Sequence, residues 1–487
     1  MDKIILIFLT IIVQTLYFFN NITILQNQFY SLKRFILYSK KEKLNIIRFL
    51  LITTCFVLIR YSYMYVIFYL ISFLLFKIKL IKNLKITKRV IIQFIIFILC
   101  LSLNFLVIKN KYCYLIYNLF CYWISFAISV LIEKLKQKYY IKKAKEKLKN
   151  YKTKTIAITG SYGKTSCKNY IYEFLKDKYN VLISPHSYNT LNGMLLTINK
   201  SLKPYHNYLI LEIGVDEKKG MNKFINNFSF DYCAVTCIGY QHLSTFKTID
   251  NIAKEKCKLL NASTIMSIYN KDDFYISNTS FKENNISFST NSNANIIIKP
   301  LKNNLIEIKI YDEIYQSFTN LLGRHNLSNL ALSVAVCKAV GLGNEEIVNK
   351  IGKIKNVCHR LSVFKDGNWT IIDDSYNSNI NGFINALDVL SSFDTLKIII
   401  TPGIIENSNN KNDNIVISKK INEVADLALL IKNPAFSEKV NNKKSFYTFT
   451  EAYNYLKENY KDIKLTILIE NDLPEIYIRW WYLWIIF

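Results

Sequence analysis

Two shortages narrow what this sequence can be. Its ten cysteines, Cys55, Cys100, Cys113, Cys121, Cys167, Cys233, Cys237, Cys257, Cys337 and Cys358, contain no CxxC pair and no adjoining Cys/His block. That excludes a zinc-ribbon type of site. Scattered single thiols suit a reducing compartment. The second shortage is of acid: 36 Asp and Glu stand against 63 Lys and Arg, a formal net charge of +27. Such a balance raises a nucleic-acid partner. Lys, Ile, Asn and Tyr are over-used together, however, and much of the basic excess flanks apolar segments. No nucleic-acid partner is expected.

What is abundant is apolar, and it is unevenly placed. At 487 residues two or three domains are expected. Residues 1–133 are dense in Ile, Leu, Phe and Tyr, with apolar runs at about 4–20, 46–59, 62–76, 90–108 and 113–132. A crossing takes roughly 20 residues with some tolerance. Two basic loops, Lys33 to Lys43 and Lys77 to Arg89, belong on the cytoplasmic side, with two crossings between them and Arg60 to Tyr63 at the outer turn. This reading makes residues 1–133 a transmembrane helical region of five crossings. The protein is then a multi-pass protein of the cell membrane with its catalytic part in the cytoplasm. A cleaved leader is disfavoured because further apolar runs follow the first. Residues 134–152 then form a basic cytoplasmic linker, with ten lysines between Lys134 and Lys154.

The rest reads as soluble α/β protein. Thr155 to Thr159 is a short buried strand that runs into Gly160-Ser161-Tyr162-Gly163-Lys164-Thr165-Ser166, after which a helical stretch begins. Strand, glycine turn and helix N-terminus make a cradle for phosphate oxygens, because backbone N–H groups and the helix dipole point at the anion. Lys164 is placed to reach the β/γ-phosphates of ATP, and Thr165 to set a hydroxyl on Mg²⁺. The first glycine of the full Walker spacing is absent; Ile158 stands there.

The shortened loop resembles that of the Mur ligases, and the resemblance extends over roughly residues 153–475. Ser187-Tyr188-Asn189-Thr190 with Gly193 is similar to the family's segment near the nucleotide phosphates. Tyr208 to Leu211 reads as a strand ending in Glu212, at the strand end where open α/β sheets place ligands. The resemblance implies that Glu212 and His242 bind metal, with Lys256 as a carbamoylated third ligand and Lys254 as its rival for that position. Lys258 stands where the family has Glu, which adds positive charge near the site. Gly323 to Asn329 matches a turn-and-helix whose Asn, here Asn326, contacts nucleotide in the family. Arg360 matches an Arg that approaches from the last domain. Asp373-Asp374-Ser375-Tyr376-Asn377-Ser378-Asn379 resembles the motif of the MurF-type members, with Ile380 in place of a final Pro. Thr401 to Glu406 and Glu470 to Pro474 resemble the same type.

The fold implied is a P-loop Mur ligase central domain over 153–356, mostly parallel with a small antiparallel insertion near 285–320. A Rossmann-like C-terminal domain follows over 357–487, with strands at Thr370–Asp373, Lys397–Thr401, Leu427–Ile431 and Leu465–Glu470. The chemistry implied is ADP-forming ligation through an acyl phosphate, adding D-Ala-D-Ala or a similar amine to a muramoyl-peptide carboxylate. Lys164, Lys256, His242 and Arg360 are the catalytic candidates. Gly160, Ser161, Gly163, Lys164, Thr165, Ser166, Asn326, Arg360 and Asp374 are those for the nucleotide, and Thr165, Glu212, His242 and Lys256 those for the metal. Soluble MurF-type enzymes carry a UDP-substrate domain where this chain has apolar segments, so a lipid-linked acceptor is a second expectation. Two rival readings are a membrane-bound Mur-like ligase of another polymer, such as poly-γ-glutamate, and a catalytically weakened nucleotide-binding scaffold.

Overall fold

The computed structural model describes residues 15, 18, 19, 21–26, 30, 84–107, 111–185, 187–280, 283–376, 379–404, 410–432 and 437–471. The runs 46–59 and 62–76, both basic loops up to Lys82, residues 377–378 and 405–406, and the segment after Asn471 lie outside them. The chain divides into two compact units, Met1–Tyr139 and Tyr140–Phe487.

In the second unit, short strands, the central ones with apolar cores, build two sheets. The first contains β1 (Lys154–Thr159), β2 (Val181–Ile183), β3 (Tyr208–Glu212), β4 (Phe230–Val235), β5 (Ser263–Asn270), β6 (Asn285–Ser289), β7 (Ile296–Pro300), β8 (Leu305–Ile310) and β9 (Glu313–Phe318). Its order is β2-β3-β1-β4-β5-β6-β7-β8-β9. Every pair from β2 to β7 is parallel, and β7-β8 and β8-β9 are antiparallel. The expected small insertion is therefore an extension of the main sheet, and β6 lies in its parallel part. Successive side chains of β1 serve opposite faces. Ile156 and Ile158 join the core under helices Lys164–Leu175 and Arg324–Val340, while Ala157 joins the core containing Leu209, Leu211 and Phe224. Burial on both faces is the condition under which a parallel sheet is stable.

The second sheet holds β10 (Ser362–Asp366), β11 (Trp369–Asp374), β12 (Leu396–Thr401), β13 (Leu427–Ile431), β14 (Lys443–Phe446) and β15 (Leu465–Glu470), in the order β10-β11-β15-β12-β13-β14. It is parallel except for β10. The four strands read from sequence are its centre. The two edges, β10 and the lysine-bearing β14, have no continuous apolar run, as edge strands often do not. The α/β architecture is thus as read, while the antiparallel edge strand β10 of the second sheet was not.

The membrane expectation is corrected. Among the described residues no helix is long and apolar enough to cross a membrane, against expected crossings at 90–108 and 113–132. Helix Lys88–Val107 opens on Lys88 and Arg89 and buries Gln93. Helix Lys111–Tyr151 passes without a break into its lysine-rich half. The multi-pass placement in the cell membrane does not survive this finding. The residues read as a basic linker form the end of the same helix. Ala144 is buried in the core below β3, and Lys147 donates to the carbonyl oxygen of Asn199 at 2.8 Å.

Candidate active site

The chain leaves β1 at the centre of the first sheet, where the order turns back from β3 to β4, the position at which open parallel sheets take ligands. The turn requires glycine twice. Gly160 has φ +147° and a Cβ there would lie 1.9 Å from Thr236 Oγ1; Gly163 has φ +81° and a Cβ there would lie 2.2 Å from Asn329 Oδ1. Both the backbone conformation and the close approach exclude a side chain. The loop is pinned to the chain after β4. Ser161 N donates to the Cys237 carbonyl at 2.8 Å, and Ser161 Oγ accepts from Gly239 N at 2.9 Å. Helix Lys164–Leu175 then starts, with Lys164 and Thr165 in its first turn and Ser166 buried.

A half-buried amine and a buried one meet at one carbonyl. Lys164 Nζ donates to Gly160 O at 2.8 Å and to Ser161 O at 3.1 Å, and Lys256 Nζ donates to Gly160 O at 2.9 Å. Burial lowers the pKa of Lys164, opposed by the charge of Glu212. Burial lowers that of Lys256 much further, helped by the neighbouring Lys164. Facing them, the Glu212 carboxylate is buried at the end of β3. It accepts from Thr165 Oγ1 at 2.9 Å and from Asn189 Nδ2 at 3.3 Å, and Lys168 Nζ lies 3.7 Å away. Lys168 also donates to Ser184 O at 2.8 Å. The arrangement is a rigid loop with clustered lysine amines beside one fixed carboxylate.

The remaining candidates fall at varied distances from this centre. His242 is exposed, in a left-handed turn (φ 55°) that begins the helix Leu243–Phe246. Among the described residues no three His, Cys, Asp or Glu side chains gather as a metal site. Lys254 is exposed on helix Ile249–Asn261, which leaves Lys256 as the lysine of the loop. Lys258 does not add net charge there. Two residues on from Lys256 it leaves the helix on nearly the opposite side, where it pairs with Glu255 at 2.8 Å and donates to Asn222 Oδ1 at 3.3 Å. Asn326 is buried. Its Oδ1 accepts from Tyr170 and Asn329, and its Nδ2 donates to Leu322 O at 2.8 Å. It therefore anchors the start of helix Arg324–Val340 under the loop. Asp374 ends β11, buried, its Oδ1 accepting from Leu361 N at 3.2 Å; burial raises its pKa, opposed by Arg360. The Arg360 guanidinium lies 4.2 Å over the Tyr376 ring, and its charge is felt at both Lys164 and His325.

Sequence reasoning passed over Lys168. Its signal was helical spacing, since it follows Lys164 by four and shares its face. Asn189 was quoted within its motif but given no partner. Ser187 and Tyr376 meet only in three dimensions.

Known proteins resemble this chain in sequence and in fold. Residues 158–337 match the Mur ligase middle domain. A UDP-N-acetylmuramoyl-tripeptide–D-alanyl-D-alanine ligase of Buchnera aphidicola subsp. Baizongia pistaciae is 29% identical over 345 residues, covering 66% of this chain and 73% of the relative. The MurF ligase of Thermotoga maritima, solved in complex with ADP, superposes with a TM-score of 0.61 at 21% identity, covering 70% of this chain and 82% of that one. A MurF structure from Acinetobacter baumannii gives 0.60 at 21% identity, covering 68% and 76%.

Proposed function

We propose that this chain, a Mur ligase by its middle domain and its fold, is an ATP-dependent amide ligase of the MurF type that adds D-alanyl-D-alanine to a UDP-N-acetylmuramoyl tripeptide. One observation carries the reading: Lys164 and Lys256 converge on the carbonyl of Gly160 while Thr165 is held on Glu212. The Lys164 amine at the mouth of a glycine loop is completed by a polyphosphate, and a fixed carboxylate beside it suits a phosphate-bound cation.

The reaction joins two substrates in two displacements. The tripeptide carboxylate oxygen attacks the γ-phosphorus of ATP, the bond to the β-phosphate oxygen breaks, and ADP leaves. The amine of D-Ala-D-Ala then attacks the acyl carbon, the phosphate departs with the electron pair of the broken C–O bond, and the proton lost by the nitrogen goes to the departing phosphate or to water. Both steps pass through strongly negative states, so positioning and charge neutralisation are the protein's contribution. Lys164 neutralises the transferring phosphoryl group, and the N–H groups of the loop hold its oxygens. Arg360 acts from the side of the second sheet, and buried Asp374 feels its charge.

Thr165 and Glu212 would hold a Mg²⁺, which suits one carboxylate and one hydroxyl because this ion keeps waters and phosphate oxygens as its other ligands; bound there, it would offset charge on the phosphates. His242 is the further side chain proposed for it. Lys256 joins the set once carbamoylated. Its depressed pKa favours the neutral amine, the form that adds CO₂.

The test is ADP release by the full chain with UDP-muramoyl tripeptide, offered D-Ala-D-Ala, D-Ala or glutamate. Release that depends on D-Ala-D-Ala is expected. Dependence on glutamate would favour synthesis of a γ-glutamyl polymer, and no amine-dependent release with any of them would leave a nucleotide-binding scaffold.

A further inference from the structure

Two motifs that lie 189 positions apart in the chain touch at one pair of hydroxyls. Tyr376 Oη donates to Ser187 Oγ at 2.6 Å. Ser187 stands just after β2, at the carboxyl edge of the first sheet, two residues before the Asn189 that holds Glu212. Tyr376 stands just after β11, at the carboxyl edge of the second sheet and two residues beyond Asp374. The same tyrosine carries Arg360 on its ring face, 4.2 Å from the centroid. One end of Tyr376 thus grips the first sheet's domain, and its face supports the arginine that the second presents to the phosphate loop.

We propose that Tyr376 is a positioning residue, the clasp that joins the two domains across the nucleotide cleft and sets Arg360 in place when they meet. A flat guanidinium on an aromatic face loses freedom to swing. The hydroxyl contact fixes where that face lies relative to Lys164. Neither function requires Tyr376 to touch a substrate. The contact is half in solvent, with Tyr376 45% exposed, so it is weak enough to open between turnovers. A buried, fully satisfied contact would hold the domains permanently shut. Recognition is thereby linked to closure, because Ser187 and Asn189 share one short segment. The segment that orients Glu212 is the segment that receives the clasp.

The experiment is a double-mutant cycle on the full chain with Tyr376→Phe and Ser187→Ala. Each single change removes one exposed hydroxyl contact, and kcat is expected to fall roughly three- to ten-fold with the KM for ATP changed by less than about two-fold. Tyr376→Phe keeps the ring under Arg360, so nucleotide affinity is preserved. The double variant should be no slower than either single one, since the second change has nothing left to remove. Tyr376→Leu, which takes away the ring as well, should also raise the KM for ATP, by roughly two- to five-fold. Small-angle scattering with ATP alone supplies a second readout. The unmodified chain should compact on binding, and the two hydroxyl-deletion variants should compact less.

Multiplying effects of the two single changes, or unchanged kcat and compaction in both, would overturn the clasp. The kinetic arm rests on the ligase reading and the scattering arm does not. A chain that compacts with ATP but joins no amine therefore defeats the ligase reading and leaves the clasp standing. A working ligase indifferent to both changes does the reverse.

Discussion

Replacing Glu212 by Gln isolates the charge on which the site is organised. Gln keeps the shape and can still accept from Thr165, but it leaves Lys168 buried without a counter-charge. The two groups are 3.7 Å apart with side chains almost wholly out of water. At an effective dielectric of about 20 their attraction is about 4.5 kcal/mol. Removing one partner of a buried pair costs about 3–5 kcal/mol. Burial already lowers the pKa of Lys168 and Glu212 raises it again; without that carboxylate the amine loses its proton more readily, which caps the loss toward the lower figure. A destabilisation of about 3 kcal/mol is therefore expected from urea unfolding at pH 7, together with loss of ATP turnover. Lys168→Met added to Glu212→Gln removes the stranded amine and should recover much of the stability without recovering turnover. The reasoning fails if Glu212→Gln unfolds like the unmodified chain, or if the double variant is no more stable than Glu212→Gln alone.

Other consequences follow from the same geometry. Gly163→Ala forces a Cβ to within 2.2 Å of Asn329 Oδ1 at a positive φ, and should lower stability by roughly 2 kcal/mol and abolish ATP binding in calorimetry. Lys256→Ala should lose ligation that a short carboxylic acid restores in part; full activity without added acid would take Lys256 out of the mechanism. His325, in the first turn of helix Arg324–Val340, has its pKa pushed down to about 4 by burial and by Arg360. The unfolded chain binds that proton from about pH 6.5 downward, and the folded chain only near 4. Stability should fall as pH drops through that window, by up to about 3 kcal/mol, and His325→Gln should flatten the dependence measured by urea unfolding.

Much of the centre could be read from local sequence because its determinants are local. Strand, glycine turn and helix start occupy consecutive residues from Thr155 to Ser166, and each follows from propensity and steric rules that operate over a few positions. Glu212 was legible for the same reason, as a carboxylate at the end of an apolar run. The membrane reading judged hydropathy as runs along the chain, and among the described residues no helix is long and apolar enough to cross a membrane. Lys258 was misjudged in a similar way. Its proximity in sequence to Lys256 suggested charge near the site, and helical geometry turned it to Glu255 instead.

By itself, then, the sequence determined the α/β architecture, the phosphate loop and the carboxylate that faces it. Only the tertiary structure decided that Lys168 is Glu212's counter-ion, that Asn326 anchors a helix beneath the loop, and that Ser187 receives Tyr376. Each of these places depends on how distant segments pack, as when Lys168 meets Glu212 on β3 and Asn326 accepts from Tyr170. Strand order is set by burial on both faces of a sheet summed over distant segments, a quantity no short window of residues contains.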